Sequence, residues 1–253
     1  MDSYVTATIV FACVVAGSLI GLALNVWLPE HHRSAASHDA IKLGTGMISV
    51  LASLVLGLLT ANIKNAFDTT DAQLRSFATN LVLLDQTLRD YGPGTGEARD
   101  LLRYYTDQAI RDHWPDESGR HVQIENRDAG RALHGVRLAI IGLPTDTVVH
   151  QALRDSALKL IETALQTRWL LIERAETSIQ PAFLIILIAW IVLIFLSFGY
   201  NAPANATVLC AFVICAGAIA GCLFIIIEMD APFDGLIAIS SHPMRNALAH
   251  MSE

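Results

Sequence analysis

The chain has 253 residues, of which 53% are hydrophobic and only 16% charged, against about 25% charged in an ordinary soluble domain, and its apolar residues stand in blocks rather than in alternating faces. A net charge of −7, with 17 basic residues dispersed among 24 acidic ones, provides no basic footprint for nucleic acid. The four cysteines, Cys13, Cys210, Cys215 and Cys222, all fall inside apolar blocks without CxxC or Cys/His spacing, which predicts neither disulfides nor a zinc site.

The first apolar block covers residues 5–28. At 1.5 Å per residue it reaches roughly 36 Å, enough to cross a hydrocarbon core of about 30 Å. A cleaved secretory signal is the rival reading, but no positive charge precedes the block and it is too long for a signal's apolar region. The second block, residues 43–63, carries Thr45, Ser49, Ser53, Thr60 and Asn62 among leucines and valines, with no charge before Lys64. A third, residues 182–198, is almost pure Ile, Leu, Val and aromatic. The fourth, residues 206–227, mixes apolar residues with Gly217, Gly221 and three cysteines. Four spans are predicted, and the third, lacking a small-residue face, is expected to meet lipid on all sides and to lie outermost.

Between the second and third spans the pattern turns from continuous to periodic. Thr70, Leu74, Phe77, Leu81, Leu84, Leu88 and Tyr91 recur at alternating steps of four and three, the spacing of a coiled-coil seam. The second span is therefore expected to continue as one long helix and to stop at Gly92-Pro93-Gly94. Whether this seam packs against another copy or against the helix beginning near residue 145 of the same chain is left open by the sequence. Further helices are predicted over residues 95–114, 125–141 and from about 145 toward Pro181. The chain thus reads as an all-α integral membrane protein: transmembrane helices 1 and 2 in residues 1–63, a cytoplasmic helical bundle in 64–181, transmembrane helices 3 and 4 in 182–228, and an amphipathic segment and tail in 229–253.

With four spans, both termini and the middle region share one side, which holds 15 of the 17 basic residues and leaves only Arg33 and Lys42 on the other. Basic residues flanking spans are retained in the cytoplasm, so a multi-pass protein of the bacterial inner membrane with a cytoplasmic bundle is expected.

Gly46, Ser49, Ser53, Gly57, Thr60 and Lys64 follow steps of three and four and share one face of the second span. Such a small, mildly polar face either lines a water-filled ion path or permits close helix packing. Gly17 and Gly21, like Gly217 and Gly221, fit the GxxxG spacing of packed membrane helices. Glu228, Asp230 and Asp234, near the end of the fourth span, either coordinate a cation or guard a pore mouth, or belong to a stretch in which Pro232 and Gly235 end the helix and turn an amphipathic segment along the membrane. Glu30, His31, His32, His38 and Asp39 cluster in the short first loop, where imidazoles beside carboxylates either bind metal or sense pH, or are merely solvated. They lack a fixed ligand spacing, and no metal site is expected. No phosphate loop, nucleophile elbow or triad can be assembled, so neither an enzyme nor a cofactor is expected.

The run from Leu54 to Leu59, the run from Lys64 to Thr69, Leu83-Leu84-Asp85, Tyr91-Gly92-Pro93, Glu97-Ala98-Arg99 and the segment from Asp230 to Ser240 together resemble the bacterial bestrophin-like membrane proteins, the family labelled DUF4239. Bestrophins are oligomeric anion channels, so the resemblance implies a homo-oligomeric channel for inorganic ions, anions before cations, embedded in the lipid bilayer. Four or five subunits with the second spans innermost are expected. A membrane-anchored sensor or scaffold that binds a partner through its helical bundle is the alternative.

Overall fold

The computed structural model describes residues 3–27, 35–114, 127–176 and 179–252, and among these residues it is entirely helical. The helices are α1 (Ser3–Trp27), α2 (Ala35–Tyr91), α3 (Gly96–His113), α4 (Arg127–Ile141), α5 (Val148–Glu176), α6 (Pro181–Asn201), α7 (Ala206–Met229) and α8 (His242–Ser252). Four of them, α1, α2, α6 and α7, contain a stretch long and apolar enough to cross a bilayer, so the protein is a multi-pass membrane protein. Two compact units divide the chain, one of Met1–Asn65 with Ser178–Asp230, the other of Ala66–Thr177 with Ala231–Glu253.

In the membrane unit α1 packs on α6 and α7 around a core of Val10, Val14, Ala52, Leu187, Ile191, Phe195 and Leu223. The approach of α1 to α6 depends on missing side chains. A Cβ on Gly21 would run into the Leu196 carbonyl oxygen, one on Gly199 into that of Ser18, and one on Gly17 would sit 3.0 Å from Val192 Cγ1. The third span therefore does not meet lipid on all sides. Of the four apolar windows its own is the most buried, because Gly17 and Gly21 on α1 bring the two backbones together, and the reason for placing it outermost goes with it. Polar contacts tie its far end down. Thr45 Oγ1 donates to Ser197 Oγ (2.8 Å), Asn25 Nδ2 donates to the Ala202 carbonyl (3.1 Å), and His38 stacks on Tyr200 with Nδ1 at 2.7 Å from Asn201 Oδ1.

The second unit is a bundle built on the last part of α2. Leu74, Phe77, Leu81, Leu84, Leu88 and Tyr91 are all buried, in one core with Leu102 and Tyr105 of α3, Leu133 and Val136 of α4 and Ile161 of α5. The seam is thus satisfied within one chain. α2 ends where Gly92 and Gly94 take positive φ (+93° and +107°), a conformation that glycine adopts without steric cost. The Thr95 hydroxyl, shared between the Leu88 and Gly92 carbonyls (2.9 and 3.0 Å), closes the turn.

The C-terminal segment, expected from sequence either to form a pore mouth or to lie along the membrane, folds into this bundle. Phe233, Ile239, Met244, Ala247 and Met251 are buried in its core. Trp114 Nε1 donates to the Ile239 carbonyl (2.7 Å) and Arg103 Nε to that of Met251 (2.7 Å).

Candidate functional site

The membrane half of α2 is the least covered of the spans. Only 6% of its apolar window is buried, against 22 to 33% in the other three. At 100° per residue the exposed surface divides into stripes. Ala52, Leu56, Leu59 and Ile63 pack toward the membrane unit's core, Leu43, Met47, Val50, Leu54 and Leu58 are exposed, and between these stripes runs the small-polar one predicted from sequence. Of its members Gly46, Ser53, Gly57, Thr60 and Lys64 are exposed and Ser49 is half-buried. No atom lies within 4 Å of a Cβ built on Gly46 or Gly57.

Hydroxyls on this stripe turn back onto their own helix. Ser49 donates to the Thr45 carbonyl (2.8 Å), Ser53 to that of Ser49 (2.8 Å) and Thr60 to that of Leu56 (2.7 Å), the local bonding open to any Ser or Thr within a helix. What the stripe shows outward is oxygen lone pairs and glycine backbone. Two open recesses, of about 430 and 450 Å³, lie alongside: Thr45, Gly46, Ser49, Ser197 and Asn201 line the first, and Ser49, Ser53, Phe195 and Cys215 the second.

The acidic residues are engaged in structure. Glu228 is buried at the end of α7. Asp230 caps that helix while its Oδ2 accepts from the Ile179 backbone N–H (3.0 Å), linking the end of α7 to the entry of α6. Asp234 accepts from the N–H of Gly235 (2.8 Å), closing its own turn. Among the described residues no group of three or more His, Cys, Asp or Glu side chains is placed to hold a metal ion. Glu30, His31 and His32 lie outside the described residues. Asp39 is exposed, and His38 is occupied by Asn201 and Tyr200. Gly17 and Gly21 face α6, Gly217 has only the Phe11 ring at 4.0 Å, and Gly221 has nothing within 4 Å.

Several residues that organise the bundle escape sequence reasoning. Asp85, 2% exposed, receives Arg99 through both carboxylate oxygens (2.8 and 3.2 Å) and Arg89 at 3.3 Å. The Asp85 hydrogen bond and charge raise the Arg99 pKa further. Bidentate pairing of this kind fixes orientation as well as charge, and here it locks α2 to α3. Both residues stand in motifs quoted above for family resemblance, and that was the only signal for the pair. Gly199, which completes the α1–α6 contact, has no GxxxG partner on its own helix.

A family model for the bestrophin-like domain matches residues 12–244. No curated protein matches the chain. A crystal structure of a bacterial bestrophin homologue from Klebsiella pneumoniae superposes with a TM-score of 0.69 at 13% identity, covering 100% of this chain and 99% of that one. Another variant of a bestrophin homologue from that organism gives 0.69 at 14%, with 97% and 98% covered. A crystal structure of a membrane protein gives 0.65 at 14%, with 98% and 99% covered. At such identities the superpositions establish a shared fold, but the family model spans nearly the whole sequence, and on that match the chain belongs to the bestrophin-like family.

Proposed function

We propose that the chain is one subunit of a homo-oligomeric ion channel in which four or five copies of α2 surround an aqueous axis. One observation carries this reading: the span with the small-polar stripe is also the one whose apolar window its own chain buries least, 6% against 22 to 33% in the other three. Glycine backbone and hydroxyl oxygens gain no partners from hydrocarbon. A shared axis gives them water, and the neighbouring Met47, Val50 and Leu54 stripe gives each copy an apolar surface for the next. Family likeness supports the same arrangement.

Anion preference is the finer part of the proposal. Lys42 and Lys64 bracket the membrane stretch of α2, and a Ser or Thr hydroxyl released from its carbonyl can turn its proton toward an anion. The basic residues concentrated in 64–174 support a reading in which the bundle and both termini are cytoplasmic and the membrane is the bacterial inner one. Purified protein in liposomes is expected to pass chloride faster than sodium. Ser53→Leu and Gly57→Leu are each expected to cut that flux at least about tenfold, since a branched apolar chain narrows and dries the path. Vesicles silent across pH, calcium and voltage would contradict the proposal.

The scaffold alternative draws on the size of the bundle, which has a core of its own. Its test needs the full chain, because a fragment ending near residue 180 lacks Phe233, Met244 and Met251 from that core. Capture of one defined partner by full-length protein that conducts nothing would favour it.

A further inference from the structure

The two open recesses beside α2 repeat each other. Lys42, Thr45, Gly46 and Ser49 form the α2 wall of the first, and the residues seven positions on, Ser49, Ala52, Ser53 and Leu56, form that of the second. α7 makes the same step, from Val208, Ala211 and Phe212 to Cys215, Ala218 and Ile219. Their sizes match as well, at about 430 and 450 Å³. Two like holes therefore stand roughly 10.5 Å apart along the span, seven residues at 1.5 Å each.

We propose that these recesses seat the next copy's α2, which inserts Met47 into the first and Leu54 into the second. The inference rests on the proposed ring of α2 helices and names the surface on which each copy holds the next. Met47 and Leu54 are 65% and 68% exposed and stand seven residues apart, so both engage at once. Heptad-spaced knobs entering heptad-spaced holes are how nearly parallel helices pack. Copies related by rotation about the membrane normal keep each residue at one depth, and a helical side chain covers the surface about one position N-terminal to its own Cα. Met47 thus lies over the depth of Gly46 and Leu54 over that of Ser53, near the middle of each α2 wall. Val50 falls at the depth of Ser49, which borders both recesses.

Chemistry agrees with the register. In the first recess Ser197 and Asn201 stand beside Phe198 and Phe212, a mixed lining that suits an unbranched, flexible thioether with its favourable contacts to aromatic rings. The second, with Ile191, Ile194 and Phe195, suits a leucine. At 100° per residue the small-polar stripe comes between the Met47 and Leu54 ridge and the Ser49 and Leu56 wall. Each copy therefore offers its ridge on one flank of the stripe and its seat on the other. That is a head-to-tail contact, the kind that builds rings, and it turns the stripe toward the axis.

The test uses the full-length chain in liposomes, with Cys13, Cys210 and Cys222 replaced by Ala and Cys215, exposed in the second recess, kept. On oxidation with copper phenanthroline, Leu54→Cys in this background is expected to give a ladder of covalent multimers that reductant collapses. Met47→Cys is expected to give at least about tenfold less product, because seven residues place it ~10.5 Å away, beyond the ~4 Å that a disulfide spans between Cβ atoms. Val208→Cys with Cys215→Ala, which moves the acceptor to the first recess, is expected to reverse that preference. Co-expressed chains, one carrying only Leu54→Cys and the other only Cys215, are expected to stop at covalent dimers. No ladder from Leu54→Cys while wild-type vesicles pass chloride would overturn the seating, leave the recesses to lipid, and let the channel reading stand. Equal products from Leu54→Cys and Met47→Cys would overturn the register. Vesicles that neither cross-link nor conduct would overturn the seating together with the ring it rests on.

Discussion

α2 passes through two environments, and its two halves solve opposite problems. From residue 70 to 91 the apolar side chains at heptad spacing, Leu74, Phe77, Leu81, Leu84, Leu88 and Tyr91, are buried to the last one by α3, α4, α5 and the C-terminal segment. Over residues 43–64 one face packs on the membrane unit's core and the rest is left open, Leu54 at 68% exposed and Val50 at 70%. In water an uncovered apolar stripe is costly, and the chain covers it. In lipid an apolar side chain is at home, so coverage must be explained by the polar groups, and in the proposed channel it is these that call for further copies of the helix. A heptad seam thus marks intrachain packing in the bundle, whereas a small-polar stripe in the span marks an unfinished surface.

The comparison breaks first at α1 against α6, where the membrane unit does have a finished interior contact. Gly21→Val and Gly199→Val each drive a side chain into opposing backbone and are expected to prevent folding of the membrane unit, seen as loss of a monodisperse peak in detergent. Gly221→Ala, with nothing within 4 Å in the subunit, is expected to elute as wild type.

In the two halves of α2 one substitution should give different readouts. Leu84→Ala, at a fully buried site, is expected to cost about 3 kcal/mol of bundle stability, measured by denaturant unfolding. Leu54→Ala is expected to leave that transition within about 0.5 kcal/mol, and to weaken assembly instead, read from the dissociation of oligomers on dilution. Equal effects on bundle unfolding would dissolve the distinction.

Ion pairing sharpens the bundle side. Asp85→Ala leaves Arg99 and Arg89 without their shared carboxylate and is expected to cost about 3 kcal/mol, at the lower end for breaking a buried pair because Arg99 reaches solvent. Replacing Arg99 with Met in that variant should recover part of the loss, a coupling visible in a double-mutant cycle.

The smallest expected effect is on pH dependence. Because burial lowers the folded-state pKa of His113, the unfolded chain binds its proton first as pH falls through about 6.5. Bundle stability should therefore decline below that pH, down to the lower folded-state value, and remain level above it. His113→Gln should flatten the decline, as followed by melting midpoints across the range.

Much of this architecture was legible because hydropathy and period are local signals. Four spans, the break at Gly92-Pro93-Gly94 and the small-polar stripe all follow from residues read within one helix. Partner choice is not local. The seam from Thr70 to Tyr91 announced a buried face without saying what buries it. α6, hydrophobic on every side, concealed the face that α1 uses, since Gly199 acquires meaning only opposite Gly21. Pro232 and Gly235 marked the end of α7, yet nothing in their neighbourhood showed that Phe233 and Met251 complete a core begun more than a hundred residues earlier. Tyr105, His113 and Arg168 share a cavity but no motif, so sequence gave no sign of it.

The central claim is that the small-polar stripe of α2 faces water while the rest of the membrane unit faces lipid or itself. With Cys13, Cys210, Cys215 and Cys222 replaced by Ala, single cysteines at Ser53 and at Leu193, a half-exposed position on α6, can be compared in liposomes against a charged, membrane-impermeant thiol reagent. Ser53→Cys is expected to react and to lose ion flux on reaction, and Leu193→Cys to stay unmodified. Protection of the cysteine at position 53, with labelling at 193 or at neither site, would contradict the arrangement.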